Sequence, residues 1–220
     1  MKIQKHTLEF LSRLGKNNNR EWFQAHKDAY DSALENVKQF ITGLIVELSL
    51  FDPHINTEIQ ASRCLFRIYR DTRFSKDKTP YKTWFAAGIS IDGRKLDGPE
   101  YYLHIEPGKS FLAAGYWRPD KDHLNAIRQE IDYSYQELVD ALEAGGWTVD
   151  DLSAEDKLKR APAGYAEDHP YIDVLKLKSY ILYQSFSDEE MTSPEALDVL
   201  VSTARRIFPF KRFIHQALDQ

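Results

Sequence analysis

Apolar residues recur every three or four positions over much of the N-terminal part of the chain, which predicts amphipathic helices. A first helix is expected to begin at Thr7 and to stop at Gly15. Asn18 precedes Glu21 by three residues, as in a capping box, and predicts a long second helix that ends near Phe51.

The same spacing predicts further helices in the second half of the chain. A middle helix is expected to begin at Pro119-Asp120 and to end at the glycine pair that starts with Gly145. A short helix follows from Pro170. Ser193 is placed to cap a last helix, which should break before Pro209 and leave one or two more turns over 210–218.

Alternating or continuous apolar residues bounded by turn residues predict β-strands between these helices. The predicted strands cover 65–74, 84–91, 101–106, 110–117 and 177–186. The connections among the middle three are short, which indicates an antiparallel meander. We therefore expect one α+β domain over 1–220, with an antiparallel sheet of four or more strands packed against the long N-terminal, middle and C-terminal helices.

Composition fits such a domain. The 220 residues are 42% hydrophobic and 13% aromatic, which suffices for a substantial core. No apolar run approaches the length of a signal peptide or a membrane span. The single cysteine, Cys64, excludes an internal disulfide and is expected to be a small core residue rather than a nucleophile. These observations predict a cytoplasmic protein with no membrane partner.

Charge is distributed unevenly along the chain. Residues 63–82 contain seven basic and two acidic residues, although the whole protein carries a formal charge of −5 and has a pI of about 5.8. A basic segment on an acidic body suits a small or local anion better than a long polyanion. We call residues 63–82 the basic segment.

In the predicted strand 65–74, alternation places Arg67, Tyr69 and Arg73 on one face, beside a basic loop. Arginine offers paired donors to carboxylate or phosphate, and lysine adds point charges. Tyr69, Tyr81 and Trp84 are available for stacking. The predicted ligand contacts are Arg67, Arg70, Arg73, Lys76, Lys78, Tyr81 and Lys82.

A structural role explains the same cations equally well, because arginines can pair with nearby acids. Arg70 shares the predicted face of Phe66 and Ile68, and we expect it to hold a buried carboxylate, either Asp71 or an acid on a helix. Asp71 should stay ionised among the arginines and orient them, and it is also a candidate acid/base group.

His104 and Glu106 are the other candidate acid/base groups, since alternation in a strand places both side chains on one face. They could also be two metal ligands, with His54, His123 or His169 as a third. We expect no metal, and a half-buried histidine bonded to a carboxylate is the structural alternative. The chain contains no phosphate-loop, dinucleotide-binding, hydrolase-elbow or zinc-protease motif.

Several long motifs resemble one family. They are NNNREWF, FRIYRDTRFSKDKTPYK, YYLHIEPGKSFLAAGYW and LKRAPAGYAEDHP. The chain resembles the uncharacterised domain of unknown function 2461 family over nearly its whole length. The resemblance implies no established activity, cofactor or catalytic residue.

These observations leave three hypotheses for function. The first is the binding of an anionic small molecule at the basic segment, with catalysis undecided. This molecule would bear phosphate or carboxylate, and a nucleotide-like compound is one example. The second is a non-catalytic interaction module for short nucleic acid, which the acidic pI disfavours, or for an acidic protein partner. The third is a metal-dependent enzyme that uses His104 and Glu106.

Overall fold

The computed structural model of the protein describes residues 1–219. Gln220, which belongs to the predicted domain 1–220, lies outside the described residues. The helices are α1 (Lys5–Lys16), α2 (Arg20–Ala25), α3 (Lys27–Ser49), α4 (Ala61–Cys64), α5 (Lys121–Tyr133), α6 (Tyr135–Glu143), α7 (Ile172–Leu175), α8 (Asp188–Thr192) and α9 (Ala196–Leu218). The strands are β1 (Phe85–Ile89), β2 (Glu100–Ile105), β3 (Ser110–Tyr116) and β4 (Tyr180–Phe186).

The four strands form one antiparallel sheet in the order β1-β2-β3-β4. This order confirms the predicted α+β class and the meander. The short Pro107-Gly108 turn joins β2 to β3, whereas residues 117–179, which include α5, α6 and α7, connect β3 to β4. The strands predicted over 84–91, 101–106, 110–117 and 177–186 are all present, with ends that differ by up to three residues.

The strand predicted over 65–74 is wrong. Only isolated antiparallel bridges form here, Leu65 with Ala87 and Tyr69 with Tyr81. Two aspartates fold the intervening chain into tight turns, because each carboxylate accepts a hydrogen bond from the main-chain N–H two residues later. Pro80 in the facing arm cannot donate a ladder hydrogen bond. The basic segment is therefore an irregular hairpin rather than part of the sheet.

Contacts divide the chain into two compact units. The first comprises residues 1–95, 102–112 and 184–202, and the second comprises 96–101, 113–183 and, among the described residues, 203–219. Strands β2, β3 and β4 each contribute residues to both units. The predicted single domain stays a prediction.

Helices α1 and α3 pack against each other in the first unit, and α3 also contacts β1. Their apolar faces are fully buried, at Leu14 of α1 and at Val37, Phe40, Ile41 and Leu44 of α3. Burial of these apolar surfaces is the main stabilising contribution in this unit.

The N-terminal helices begin and end differently from the prediction. Helix α1 begins before Thr7, whose hydroxyl donates to Asn36 instead of capping the helix. Asn19, not Asn18, caps α2 by accepting a hydrogen bond from the Trp22 N–H. A break at His26 divides the predicted long helix, because the His26 backbone has non-helical dihedral angles.

The second unit contains α5, α6 and α7. Asp120 caps α5 as predicted, but Ser134 divides the predicted middle helix because its φ of −122° is non-helical. Arg128 of α5 is buried, and its guanidinium donates to the main-chain carbonyls of Leu175 (2.8 Å) and Leu177 (3.1 Å). One side chain thus satisfies two carbonyl groups where α7 ends.

Helix α9 continues through Pro209, so the predicted break there is wrong. A proline in a helix interior removes one hydrogen bond and typically costs about 3 kcal/mol. Ile207, Phe210 and Ile214 around it are fully buried, and their packing offsets that cost. Among residues 1–219, no helix combines the length and the apolar composition that crossing a membrane requires.

Candidate functional site

The basic segment is fixed to the first unit by its second arm. The side-chain amide of Asn18 donates to the Tyr81 carbonyl (2.9 Å) and accepts from the Tyr81 N–H (3.1 Å). The Tyr81 ring is buried and stacks on Phe23 with centroids 4.0 Å apart. The two arms are joined by main-chain hydrogen bonds, including Lys82 N–H to the Ile68 carbonyl at 2.7 Å. These contacts give Lys82 a defined position.

Lys82 lies against aromatic rings rather than beside an acid. Its ammonium is 4.5 Å from the Trp84 ring centroid and 5.6 Å from that of Phe66. Burial lowers the pKa of Lys82, and the positive charges of Arg67 and Arg94 lower it further. We call Phe66, Arg67, Lys82, Trp84 and Arg94 the Lys82 site.

Arg94 is positioned by the end of α4. Its Nη1 donates to the carbonyls of Ser62 (3.2 Å), Arg63 (3.0 Å) and Leu65 (2.7 Å). Gly93 permits this approach, because its φ is +62° and a Cβ there would lie 2.9 Å from the Arg63 carbonyl oxygen. Arg94 therefore both closes the helix end and contributes charge to the Lys82 site.

Positive charge in the Lys82 site is not compensated locally. Within residues 1–219, no carboxylate oxygen lies within 4 Å of the charged groups of Arg67, Lys82 or Arg94. Like charges gathered on a partly desolvated surface repel one another and attract an anion.

His104 and Glu106 lie together on one side of β2, as strand alternation predicts. His104 Nε2 is 3.1 Å from a Glu106 carboxylate oxygen, and Nδ1 is 3.3 Å from the Tyr102 hydroxyl. Burial lowers the pKa of His104, although the hydrogen bond and charge of Glu106 act in the opposite direction. The Thr83 hydroxyl, 3.4 Å from Glu106, donates to the second carboxylate oxygen. The arrangement is an oriented histidine–carboxylate pair.

Trp84 connects this pair to the Lys82 site. Its ring centroid lies 4.9 Å from that of His104, while the same indole contacts the Lys82 ammonium. Phe66 is likewise 6.0 Å from Tyr102. Two candidates that are far apart in sequence, the basic segment and the His104–Glu106 pair, are therefore neighbours in space.

Other cations of the basic segment are held by its own residues. Arg70 donates to the Asp77 carboxylate and to the Thr79 hydroxyl, so the expected buried partner, Asp71 or an acid on a helix, is wrong. Asp77 is exposed; the Thr79 N–H and then the Arg70 guanidinium lower its pKa to about 2. Lys78 donates to a main-chain carbonyl at 2.8 Å.

Asp71 is bound by one arginine, not by a ring of three. Arg73 donates to both of its carboxylate oxygens, from Nε at 3.0 Å and from Nη2 at 2.7 Å. These bonds lower the pKa of Asp71, with a smaller effect from the charge of Arg67. Lys76 is exposed in the loop between the two aspartates.

A cleft of about 370 Å³ lies on another side of the hairpin. It is lined by Arg20, Gln24, Tyr69, Arg70, Thr72, Pro80 and Tyr81. Two members of the predicted ligand set, Arg70 and Tyr81, face this cleft, whereas Arg67 and Lys82 belong to the Lys82 site. The structure thus divides the predicted set between two places.

The histidines named as third metal ligands have other neighbours. His54 lies beside Asp52, His123 beside the Tyr116 hydroxyl and His169 beside Asp132. Within residues 1–219, no group of three or more His, Cys, Asp or Glu side chains is placed to hold a metal ion. Cys64 is fully buried.

Arg94 and Phe66 are the two residues of the Lys82 site that the sequence does not predict as site residues. Arg94 lies in what the sequence indicates is an exposed turn, and its approach to α4 has no local sequence signal. The sequence predicts Phe66 on one face of a strand, which gives no indication that it contacts Lys82.

The fold and the site define an α+β protein whose antiparallel sheet carries a cationic, aromatic edge beside a histidine–carboxylate pair. The chain belongs to the family of conserved hypothetical proteins DUF2461, which it matches over residues 6–213. No curated protein and no solved structure matches the chain.

Proposed function

We propose that this protein binds an anionic small molecule at the Lys82 site. The observation that carries the proposal is the convergence of Arg67, Lys82 and Arg94 without a carboxylate within ion-pair distance. Elsewhere in the basic segment, Arg63, Arg70 and Arg73 each have such a carboxylate. An uncompensated cation cluster is the feature expected of a site whose counter-ion is the ligand.

The ligand class follows from the neighbouring side chains. Guanidinium groups suit phosphate or carboxylate, and the half-buried rings of Phe66, Trp84 and Tyr102 suit a planar group next to the anion. A nucleotide-like compound has both parts. The His104–Glu106 pair lies beside this surface and would be the acid/base group of any reaction there. A cytoplasmic location is part of the proposal, and it rests on the single cysteine, which is buried.

The loop cations give an alternative position for the same ligand. Arg73, Lys76 and Lys78, with Arg70 and Tyr81 at the cleft, would contact an anion that displaces their present partners. Breaking the bonds to Asp71 and Asp77 opposes this alternative. The Lys82 site is also compatible with the second hypothesis, a non-catalytic interaction module. Cations interleaved with aromatic rings suit a short single strand of nucleic acid.

Thermal unfolding with and without anions tests the proposal. Phosphate, sulfate and a nucleoside monophosphate should each be titrated against the wild-type protein at two salt concentrations. A ligand at 100 times its Kd stabilises by about 2.7 kcal/mol, which raises the midpoint of a protein of this size by about 5–10 °C. Arg67→Ala should remove most of this shift while leaving the ligand-free midpoint unchanged or slightly higher, because a repulsive charge is lost.

Lys76→Ala is the matched control, since Lys76 is an exposed cation of the same segment. It should keep the anion shift. If Lys76→Ala and Arg73→Ala lose the shift and Arg67→Ala keeps it, the ligand sits on the loop. If no anion moves the wild-type midpoint, the proposal is wrong. An affinity for oligonucleotides that falls steeply with salt would favour the interaction module.

A further inference from the structure

We propose that Lys82 is a nucleophilic amine that forms an imine with an anionic aldehyde or ketone. This inference deepens the anion-binding proposal and rests on it, because Arg67 and Arg94 would hold the carboxylate or phosphate of the same ligand. It assigns a covalent step to the site and names the carbonyl group as the second feature of the ligand.

The surroundings of Lys82 differ from those of the paired lysines. Lys27, Lys157, Lys176 and Lys178 each bind a carboxylate, at 2.7 Å for Lys157 and Lys176 and 2.8 Å for Lys178. An acid at that distance holds a lysine in its charged, unreactive form. Lys82 instead lies against the Trp84 and Phe66 rings.

Two effects then favour the neutral amine at Lys82. Partial burial removes water from the ammonium, and two guanidinium groups repel its charge. Desolvation and a neighbouring cation are the two known means by which proteins activate a lysine towards carbonyl compounds. The aromatic rings attract the ammonium and act in the opposite direction. Burial and the charges of Arg67 and Arg94 oppose this attraction, since each of them lowers the pKa of Lys82.

Lys82 is also fixed while remaining accessible. The main-chain bond from its N–H to the Ile68 carbonyl and the Asn18 contacts to Tyr81 hold the backbone. Its side chain is half-buried, so a small molecule can reach the amine. A nucleophile needs both properties.

The reaction conserves charge and requires no redox partner. The Lys82 ammonium gives one proton to water, and the nitrogen lone pair attacks the carbonyl carbon to form a C–N bond. The carbonyl oxygen takes up a proton, and the resulting carbinolamine loses this oxygen as water. The sum is an ammonium and a carbonyl compound giving a protonated imine and one water molecule.

Reductive trapping tests the inference. Wild-type protein is incubated at neutral pH with glyoxylate, a small anionic aldehyde, and with cyanoborohydride, which reduces the imine to a stable secondary amine. Peptide mapping by mass spectrometry then gives the extent of modification at each lysine. We expect the Lys82 adduct to form first and to exceed that at the exposed Lys76 and Lys109.

Three variants and one neutral probe complete the experiment. Lys82→Arg should lose the dominant adduct, whereas Lys76→Arg, the matched control, should keep it. Arg67→Ala should slow formation of the Lys82 adduct with glyoxylate. The preference for Lys82 should also be weaker with acetaldehyde, which has no anionic group for the arginines to bind.

The outcomes separate the two proposals. If anions stabilise the wild-type protein but the adducts follow solvent exposure, with Lys76 and Lys109 ahead of Lys82, the imine inference is wrong and anion binding stands. If Lys82 is labelled selectively but no anion stabilises the protein and acetaldehyde labels it equally well, the lysine is reactive and the anion proposal is wrong. Selective, anion-dependent labelling supports both.

Discussion

Replacing Glu100 by glutamine should flatten the dependence of stability on pH. Glu100 opens β2 and is largely buried, and this burial raises the pKa of its carboxyl group to about 7 against an opposing effect of Lys211. Lys211 is fully buried, with its ammonium 5.0 Å from the Tyr101 ring centroid and 3.0 Å from His215 Nε2. Glu100 is therefore largely protonated in the folded protein between about pH 4.5 and 7, where an unperturbed glutamate is ionised.

The direction in which stability changes with pH follows from the difference in proton binding between the folded and unfolded states. The unfolded chain loses the Glu100 proton near pH 4.5, whereas the folded protein holds it to about pH 7. Between these values the folded state binds more protons, so the free energy of unfolding falls as pH rises. The shift corresponds to about 3 kcal/mol at 1.36 kcal/mol per pKa unit, all of it lost above about pH 7.

The glutamine of the Glu100→Gln variant cannot ionise, so this variant does not lose that stability as pH rises. The difference in stability between variant and wild type should grow by about 3 kcal/mol between pH 4.5 and 8, or about 6–12 °C in midpoint. Thermal unfolding at several pH values measures it, and using the difference cancels other titrating groups. Glu155→Gln, at an exposed glutamate of the same unit, is the control and should show no such trend. A Glu100→Gln difference that does not change with pH, or that shrinks as pH rises, would refute the reasoning.

Three further changes test the fold around the site. Asn18→Ala should lower the free energy of unfolding by about 1–3 kcal/mol in urea titrations, because the Tyr81 main chain loses two hydrogen bonds. Gly115→Ala should prevent folding, which circular dichroism would show, since its φ is +127° and a Cβ would lie 2.1 Å from the Tyr180 carbonyl oxygen. Arg128→Ala should cost about 2–4 kcal/mol in urea titrations by leaving two carbonyls without a donor, and Arg128→Lys should recover only part of that loss.

Regular local patterns predicted the sheet well. Strand β1 is buried throughout and β3 at all but one position, whereas β2 begins with alternating half-buried and buried residues. Apolar runs of this kind, bounded by turn residues, are a local signal that predicts strands. Helix continuity was harder to predict, because it depends on packing that the sequence does not display. Pro209 breaks an isolated helix, yet the burial of Ile207 and Phe210 holds α9 together across it. Ser134 is the opposite case. The apolar spacing continues through this residue and predicts one helix, but the helix breaks there.

Composition placed positive charge in the basic segment, but it could not show which cations are available to a ligand. Arg70 and Arg73 have the same chemistry as Arg67, yet each is paired with an aspartate of the same hairpin. Each pair forms because a turn brings together an arginine and an aspartate that are two or seven positions apart in the sequence. A continuous strand over 65–74 would not make these turns.

The surroundings of Lys82 also depend on Arg94, a residue outside the basic segment. Arg94 reaches the end of α4 because Gly93 allows the chain to turn tightly there, and this brings a second guanidinium near Lys82. A lysine with one like charge nearby could turn towards water, but Lys82 is held against Trp84 while both arginines act on it. The chemical character of Lys82 thus depends on residues from three separate parts of the chain. Removing Arg94 would both loosen α4 and relieve the repulsion at Lys82, whereas Arg67→Ala relieves the repulsion without touching a main-chain carbonyl. For this reason Arg67 is the better position at which to separate function from stability.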